Sequence, residues 1–153
     1  MASNLESQIS KSDMALPEKI HLEIVTPEKQ LFSGDVDSVT VPSTTGYLGI
    51  LPGHAPLLAQ LGIGEISYVI GDRTDFLFCS WGFVEVLPDR VVILAQAAEL
   101  ASDIDIKRAE EAKSRAEKLL ASKDPGIDFA KAELALLRAI SRLNAVKHRH
   151  AKH

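Results

Sequence analysis

Alternating apolar and polar residues dominate the first hundred positions of the chain, with the period of two that is typical of half-buried β-strands. The predicted strands lie at residues 20–24, 36–41, 66–70, 75–79, 81–86 and 90–94. Turn residues at Gly71-Asp72 and Pro88-Asp89 join the last four strands into two hairpins. Short strands at this spacing predict an antiparallel β-sandwich or flattened barrel.

After Glu99 the apolar residues recur with the period of an α-helix. Two helices are predicted, at about residues 104–122 and 128–148, with N-capping candidates at 102–105 and a break at 123–126. So short a break predicts an antiparallel two-helix hairpin, which makes the fold class α+β.

Alanines accompany the apolar stripe of the second helix, which is formed by Leu136, Ile140 and Leu143 with Ala132 and Ala139 beside it. Alanine lets two helix backbones approach closely but buries little apolar area. The hairpin is therefore expected to be marginally stable alone and is the better candidate for a moving part.

The charge distribution divides the chain in the same place. Residues 1–98 hold 5 Lys/Arg against 12 Asp/Glu, a net charge of −7, whereas residues 99–153 hold 12 against 9, a net charge of +3. We expect a disordered leader (1–17), a sandwich domain (18–98) and a helical hairpin with a basic tail (99–153). The leader lacks the apolar core of a signal peptide and the arginine-rich composition of a transit peptide.

Length and composition are those of a globular protein of one or two small domains, with 153 residues, 46% of them apolar and 25% charged. The lone cysteine, Cys79, excludes an internal disulfide framework and indicates a reducing compartment such as the bacterial cytoplasm. No apolar run approaches the roughly 20 residues of a membrane helix, so membrane association is expected only through partners.

The segment GYLGILPGHAPLL at residues 46–58 is the first candidate motif. By itself it reads as a glycine- and proline-rich loop that leads into a strand. It is not a phosphate-binding loop, because no Gly-Lys-Ser/Thr follows it and its two prolines lack N–H groups. His54 is a candidate general base, but the loop offers it no nucleophile or carboxylate, which favours a structural role.

The segment IDIKRA at residues 104–109 is the second motif, and its simplest interpretation is a helix start whose Asp105 offsets the helix dipole. On the second helix, Arg138 and Arg142 are four residues apart, so two cations crowd one face unless an anion lies between them. Guanidinium groups bind phosphate bidentately. The alternatives are salt bridges across the hairpin to Glu110 or Glu111, or contacts with a protein partner.

The C-terminal segment KHRHAKH at residues 147–153 is the third feature. It is interpreted as a solvated tail, as a weak site for a stray metal, or as a polycation for an acidic partner, the last more strongly below about pH 6.5, where histidine takes up a proton.

Taken whole, the 46–58 segment resembles the signature loop of the epsilon subunit of bacterial F-type ATP synthases. LFSG at 31–34 and GFVEV at 82–86 match the same family, and the resemblance covers about residues 20–146. It implies a non-catalytic central-stalk subunit that couples the gamma subunit to the membrane ring during proton-driven ATP synthesis. It also implies that a mobile hairpin inhibits ATP hydrolysis, and a location on the cytoplasmic face of the bacterial cell membrane.

The resemblance also implies site residues. The contact with the c-ring is expected at Ser43, Thr44, Thr45, Gly46 and Tyr47, and the contact with the alpha and beta subunits at Lys147 and Arg149. Members of the family that bind ATP carry a motif that IDIKRA matches, so regulatory ATP is expected at Glu99, Asp105, Arg108, Ala109, Arg138 and Arg142. No cofactor, catalytic residue or metal is expected to be required.

Two other classes are disfavoured. A free-standing nucleotide-binding enzyme lacks a paired base and nucleophile, and a nucleic-acid-binding module conflicts with the acidic strands and the scarcity of aromatic residues. The remaining alternative is a free-standing ATP-binding regulatory module outside a synthase complex.

Overall fold

Seven strands of the computed structural model, which describes residues 16–151, pair into one sheet. The predicted leader lies outside the described residues except for its last two positions, as do Lys152 and His153 of the basic tail. The strands are β1 (Ile20–Val25), β2 (Gln30–Val36), β3 (Ser38–Ser43), β4 (Gly46–Ile50), β5 (Leu57–Ile70), β6 (Arg73–Val86) and β7 (Arg90–Leu100).

The sheet has the order β2-β1-β7-β6-β5-β3-β4 and folds over on itself. Its two halves meet where the ring of Phe32 on β2 lies 4.3 Å from the ring of Tyr68 on β5. The enclosed core contains the inward-facing residues of the predicted alternation, such as Leu22, Val39 and Ile93. The predicted sandwich is confirmed, and one pair within it, β1 with β7, is parallel.

Several strand predictions are wrong in their bounds. The predicted strand 66–70 is only the end of β5, and the predicted strand 90–94 is only the first part of β7. Residues 36–41 are not one strand, because Asp37 forms a corner between β2 and β3, where its carboxylate bonds Lys19 and accepts from the backbone N–H of Gly71 at 2.6 Å. Residues 75–79 and 81–86 are one strand, β6, although Trp81 and Gly82 have φ angles of 58° and 134°. The pairing of β6 with β7 keeps its register across this point.

The C-terminal part forms the predicted hairpin of α1 (Ile106–Ala121) and α2 (Phe129–His150), preceded by a 3-10 turn (Ala101–Asp103). Each helix begins after an aspartate whose carboxylate accepts a backbone N–H of the first turn. Asp105 accepts from Arg108 and Asp128 accepts from Lys131, both at 3.1 Å. Between the helices, the Asp124 carboxylate accepts from the N–H of Gly126 at 2.8 Å, which closes the turn.

Small residues occupy most of the buried positions of the hairpin. The most buried positions include Ala109 and Ala116 on α1 and Ala132 and Ala139 on α2. The predicted stripe of Leu136, Ile140 and Leu143 is only half-buried, because the helices approach each other over the alanines.

α2, rather than α1, packs on the sheet. Ala145 and Val146 lie against Phe78 of β6, with Ile63 and Phe76 at the margin of this second apolar cluster. The hairpin is therefore docked on the sandwich. Among residues 16–151, no helix is both long enough and apolar enough to span a membrane.

Candidate functional site

A cavity of about 390 Å³ lies between the end of β7, the 3-10 turn, α1 and α2. Five of the six residues predicted to bind ATP line it: Glu99, Asp105, Arg108, Ala109 and Arg142. The docking of α2 brings Arg142 to the other four, which lie within eleven positions of one another along the chain.

The start of α1 forms one wall of this cavity. Asp105 is fixed there as the N-cap, so Arg108 and Ala109 occupy the first turn of the helix. Ala109 is buried and lines the cavity. The unpaired N–H groups and positive dipole end of a helix favour negative charge at this wall.

Arg142 provides the opposite wall and is held by two groups of the sandwich. Its Nη2 atom lies 3.2 Å from Oε1 of Glu99, and its Nε donates to both carboxylate oxygens at 3.3 Å. The guanidinium carbon also stands 4.1 Å from the centroid of the Phe78 ring. The alternative of a salt bridge across the hairpin from Arg142 to Glu110 or Glu111 is wrong, because this cation pairs with β7.

Arg138 is the predicted residue that does not line the cavity. Its Nε lies 3.5 Å from Oγ of Ser80 on β6, at the long end of the hydrogen-bond range. The crowding expected from two arginines four residues apart is relieved because Arg138 and Arg142 reach different strands.

Three further residues line the cavity that the sequence did not single out: Asp103, Ala112 and Arg115. Arg115 lies two helical turns after Arg108 on the same face of α1, a spacing that the sequence displayed. The two arginines also line a shallower depression with Asp105, Lys107 and Glu111.

The chemistry of the cavity suits a ligand that combines anionic and hydrogen-bond donor groups. Arg108, Arg115 and Arg142 offer guanidinium donors for anions, whereas Glu99, Asp103 and Asp105 offer acceptors for hydroxyl or amino groups. Within residues 16–151, no group of three or more His, Cys, Asp or Glu side chains is arranged to hold a metal ion.

The residues predicted to contact the c-ring form the tight turn between β3 and β4. Thr44 and Thr45 are the turn residues, and the Ser43 hydroxyl bonds the carbonyl of Gly46, whose φ is 126°. Tyr47 is 63% exposed, and its hydroxyl accepts from the backbone N–H of Glu65 at 3.2 Å.

The other predicted residues lie apart from the cavity. His54 bonds the carbonyl of Ala55 through Nδ1 at 2.7 Å, which agrees with a structural role. Lys147 and Arg149 are exposed in the last turn of α2. A larger groove of about 710 Å³ opens beside Trp81 and Gly82 and includes Phe83 and Leu94, which are half exposed.

Comparison with known proteins finds two family models that match the chain in succession. The ATP synthase delta/epsilon chain beta-sandwich domain matches residues 19–101, and the ATP synthase delta/epsilon chain long alpha-helix domain matches residues 102–147.

Curated relatives match over most of their length. The ATP synthase epsilon chain of Halalkalibacterium halodurans is 52% identical over 126 residues, which are 82% of this chain and 95% of the relative. That of Syntrophobacter fumaroxidans is 46% identical over 132 residues, 86% and 98% of the two chains. A chain of the mitochondrial ATP synthase of Euglena gracilis, solved with OSCP, F1 and c-ring, shares the fold with a TM-score of 0.76 at 24% identity, covering 92% of this chain and 89% of its own.

Proposed function

Because the chain belongs to the ATP synthase delta/epsilon family, we propose that it is the epsilon subunit of a bacterial F-type synthase, a non-catalytic part of the central stalk. The observation that carries this proposal is the match of both family domains, in order, over residues 19–147. The subunit is proposed to lie on the cytoplasmic face of the cell membrane, attached only through the complex, and to couple gamma to the c-ring during proton-driven ATP synthesis.

Two surfaces of the sandwich support these partners. The turn at Ser43–Tyr47 presents an exposed tyrosine and small polar residues, which suits contact with the c-ring. The groove beside Trp81 exposes Phe83 and Leu94, and exposed apolar side chains of this size are typical of protein interfaces. We assign this second surface to gamma.

The hairpin is proposed to be a two-state inhibitor of ATP hydrolysis. Its contacts with the sheet centre on the small Ala145 and Val146 against Phe78, so little apolar area opposes its release. Released and extended along gamma, α2 would bring Lys147 and Arg149 to the alpha and beta subunits. Both side chains are exposed in the docked state and available for that contact.

ATP in the cavity is proposed to favour the docked state. The cavity exists only while Arg142 on α2 faces Glu99 on β7, and a ligand shifts an equilibrium by binding one state better. The phosphates are assigned to the arginines and the adenine or ribose hydrogens to Glu99 and Asp105. Arg138 is proposed to contribute after a change of rotamer, since it lies one turn from Arg142.

Affinity purification of the tagged chain from solubilised membranes of its own cells tests the function. We expect gamma, alpha, beta and the c-ring to co-purify, and inverted membrane vesicles that lack the chain to lose ATP synthesis until it is added back. Recovery of the chain without any F1 subunit would reject the stalk assignment and favour a free-standing regulatory module.

A further inference from the structure

Three residues of the sheet form a row beneath α2. Glu65 on β5 lies opposite Phe78 on β6, and Phe78 lies opposite Glu99 on β7. Paired residues on neighbouring strands project from the same face of a sheet. An aromatic ring is therefore flanked by a carboxylate on each side.

α2 places one basic side chain on each carboxylate of this row. Arg142 pairs with Glu99, and six residues later Nδ1 of His148 lies 2.7 Å from Oε2 of Glu65. The buried Ala145 and Val146 lie between the two pairs along the helix. The docking contact thus consists of an apolar centre with the Arg142–Glu99 ion pair at one end and the His148–Glu65 contact at the other.

The two pairs differ in one respect. Arginine stays charged at every physiological pH, whereas the imidazole of histidine gains or loses its proton between about pH 5 and 8. The Glu65 side chain is only 12% exposed, so its charge is poorly solvated and depends on a donor from α2, while His148 is 50% exposed and accessible to protons.

We propose that His148 and Glu65 form a pH-dependent latch that holds the C-terminal end of α2 on the sandwich while His148 is protonated. A protonated imidazole donates a charge-assisted hydrogen bond to the carboxylate, and a neutral imidazole donates a weaker one. Docking is therefore strengthened at low pH and weakened as the pH rises through the range in which histidine loses its proton.

The surroundings of His148 contribute few other charges. From the elements packed under α2, β6 presents the uncharged ring of Phe76, with its centroid 5.4 Å from the imidazole, and β7 presents Glu99, which Arg142 holds. On α2 itself the neighbouring basic residues are Lys147, Arg149 and His150. Among these groups, Glu65 is the carboxylate that contacts the imidazole of His148.

The latch is separate from the ATP cavity, since neither Glu65 nor His148 lines it. Any effect of the latch on ATP hydrolysis rests on the proposed function, whereas the docking of α2 on the sandwich can be measured on the isolated chain. A failure of the latch is therefore distinguishable from a failure of the stalk assignment.

Amide hydrogen exchange of the isolated full-length protein tests the latch, because protection factors report even rare release of α2. Corrected for the intrinsic exchange rate, protection of α2 amides relative to amides of β5 and β6 should fall by about two- to fivefold between pH 5.5 and pH 8, the range expected for a partly exposed ion pair. Glu65→Gln and His148→Gln should each remove this dependence, whereas the matched control His150→Gln should keep it.

Two results would overturn the proposal. One is a relative protection of α2 that does not change with pH in the unmodified chain. The other is a pH dependence that survives unchanged in both Glu65→Gln and His148→Gln, which would assign it to another group. Core amides of β5 and β6, measured in the same samples, show whether each variant is folded.

Discussion

Gly82 lies so close to Leu94 that a Cβ atom at position 82 would stand 2.1 Å from the carbonyl oxygen of Leu94. The same atom would stand 2.8 Å from the Cα of Ala95, and the φ of Gly82 is 134°. Both obstacles are backbone atoms of β7, which cannot rotate away. β6 therefore stays paired with β7 beyond Trp81 only because residue 82 has no side chain.

Gly82→Ala is predicted to lower the free energy of unfolding by more than about 2 kcal/mol, from backbone strain together with the steric conflict. Urea denaturation followed by circular dichroism measures it. Gly49→Ala is the matched control, since a Cβ there meets no heavy atom within 4 Å. Equal stability of the two variants would contradict the described approach of the two strands.

ATP at a hundredfold excess over its dissociation constant is predicted to raise the melting temperature by roughly 5 to 10 °C, the effect of about 2.7 kcal/mol on a domain of this size. Arg142→Ala should abolish the shift because it removes one wall of the cavity, and Arg108→Ala should reduce it strongly. Arg149→Ala, on the same helix but outside the cavity, serves as the control. An unchanged melting temperature at millimolar ATP would reject the nucleotide site.

Deleting the chain from Asp124 onward is predicted to leave assembly and ATP synthesis largely intact and to raise ATP hydrolysis by purified F1 several-fold. The sandwich has its own core, and every strand of its sheet ends before the deletion. Hydrolysis is best measured at low ATP, where the extended state is expected to dominate. Identical rates with intact and truncated chains would leave the hairpin without a regulatory role.

Replacing Lys147 and Arg149 with alanine is predicted to relieve the inhibition partly while leaving the ATP-induced rise in melting temperature unchanged. Both side chains are exposed on the docked hairpin and neither lines the cavity, so the change is expected to act on the proposed extended state. High salt should weaken inhibition by the unmodified chain in the same way, because exposed charges are screened. Inhibition that is insensitive to both treatments would point to apolar contacts instead.

Asp37 is predicted to make stability depend on acidic pH. The hydrogen bond from Lys19, supported by the N–H of Gly71, lowers the pKa of its carboxyl from 3.8. Because the folded pKa is depressed, the stabilisation is complete above the ordinary carboxyl pKa and is lost as the pH falls through the lower folded value. Asp37→Asn should flatten the acidic side of a plot of melting temperature against pH, whereas Glu28→Gln, at an exposed position, should leave its shape unchanged.

The sandwich and the hairpin were predictable because the period of the apolar residues reflects which residues of a strand or helix are buried. Val39 and Val41 are buried with a period of two, but Val36 is buried as well and lies three residues before Val39. That odd spacing interrupts the alternation at Asp37, and the corner there was missed. The opposite error occurred at Ser80, where a break between two strands was predicted. The strand β6 continues through this point and through Gly82, whose missing side chain lets it stay paired with β7.

The residues of the candidate site also divide into those that the local sequence places and those that only the folded structure places. Asp105, Arg108 and Ala109 were placed together correctly because their arrangement is local to one helix start. The pairing of Arg142 with Glu99 depends on how α2 docks across the sheet, a long-range relationship that no spacing along the chain encodes. Arg138 was grouped with Arg142 on their spacing and on the family resemblance, but its Nε atom lies 3.5 Å from Oγ of Ser80 instead.

The parallel pairing of β1 with β7 has a consequence for how the polypeptide acquires its shape during synthesis. β1 lies in the sheet between β2 and β7. Its hydrogen bonds on the β7 side can therefore form only after β7, the last strand in the sequence, has been synthesised. Until residues 90–100 leave the ribosome, Leu22 and Ile24 lack their final neighbours, and such contacts between distant parts of a chain form slowly. The hairpin is synthesised after these strands, so translation in this order completes the sandwich before the hairpin that docks on it.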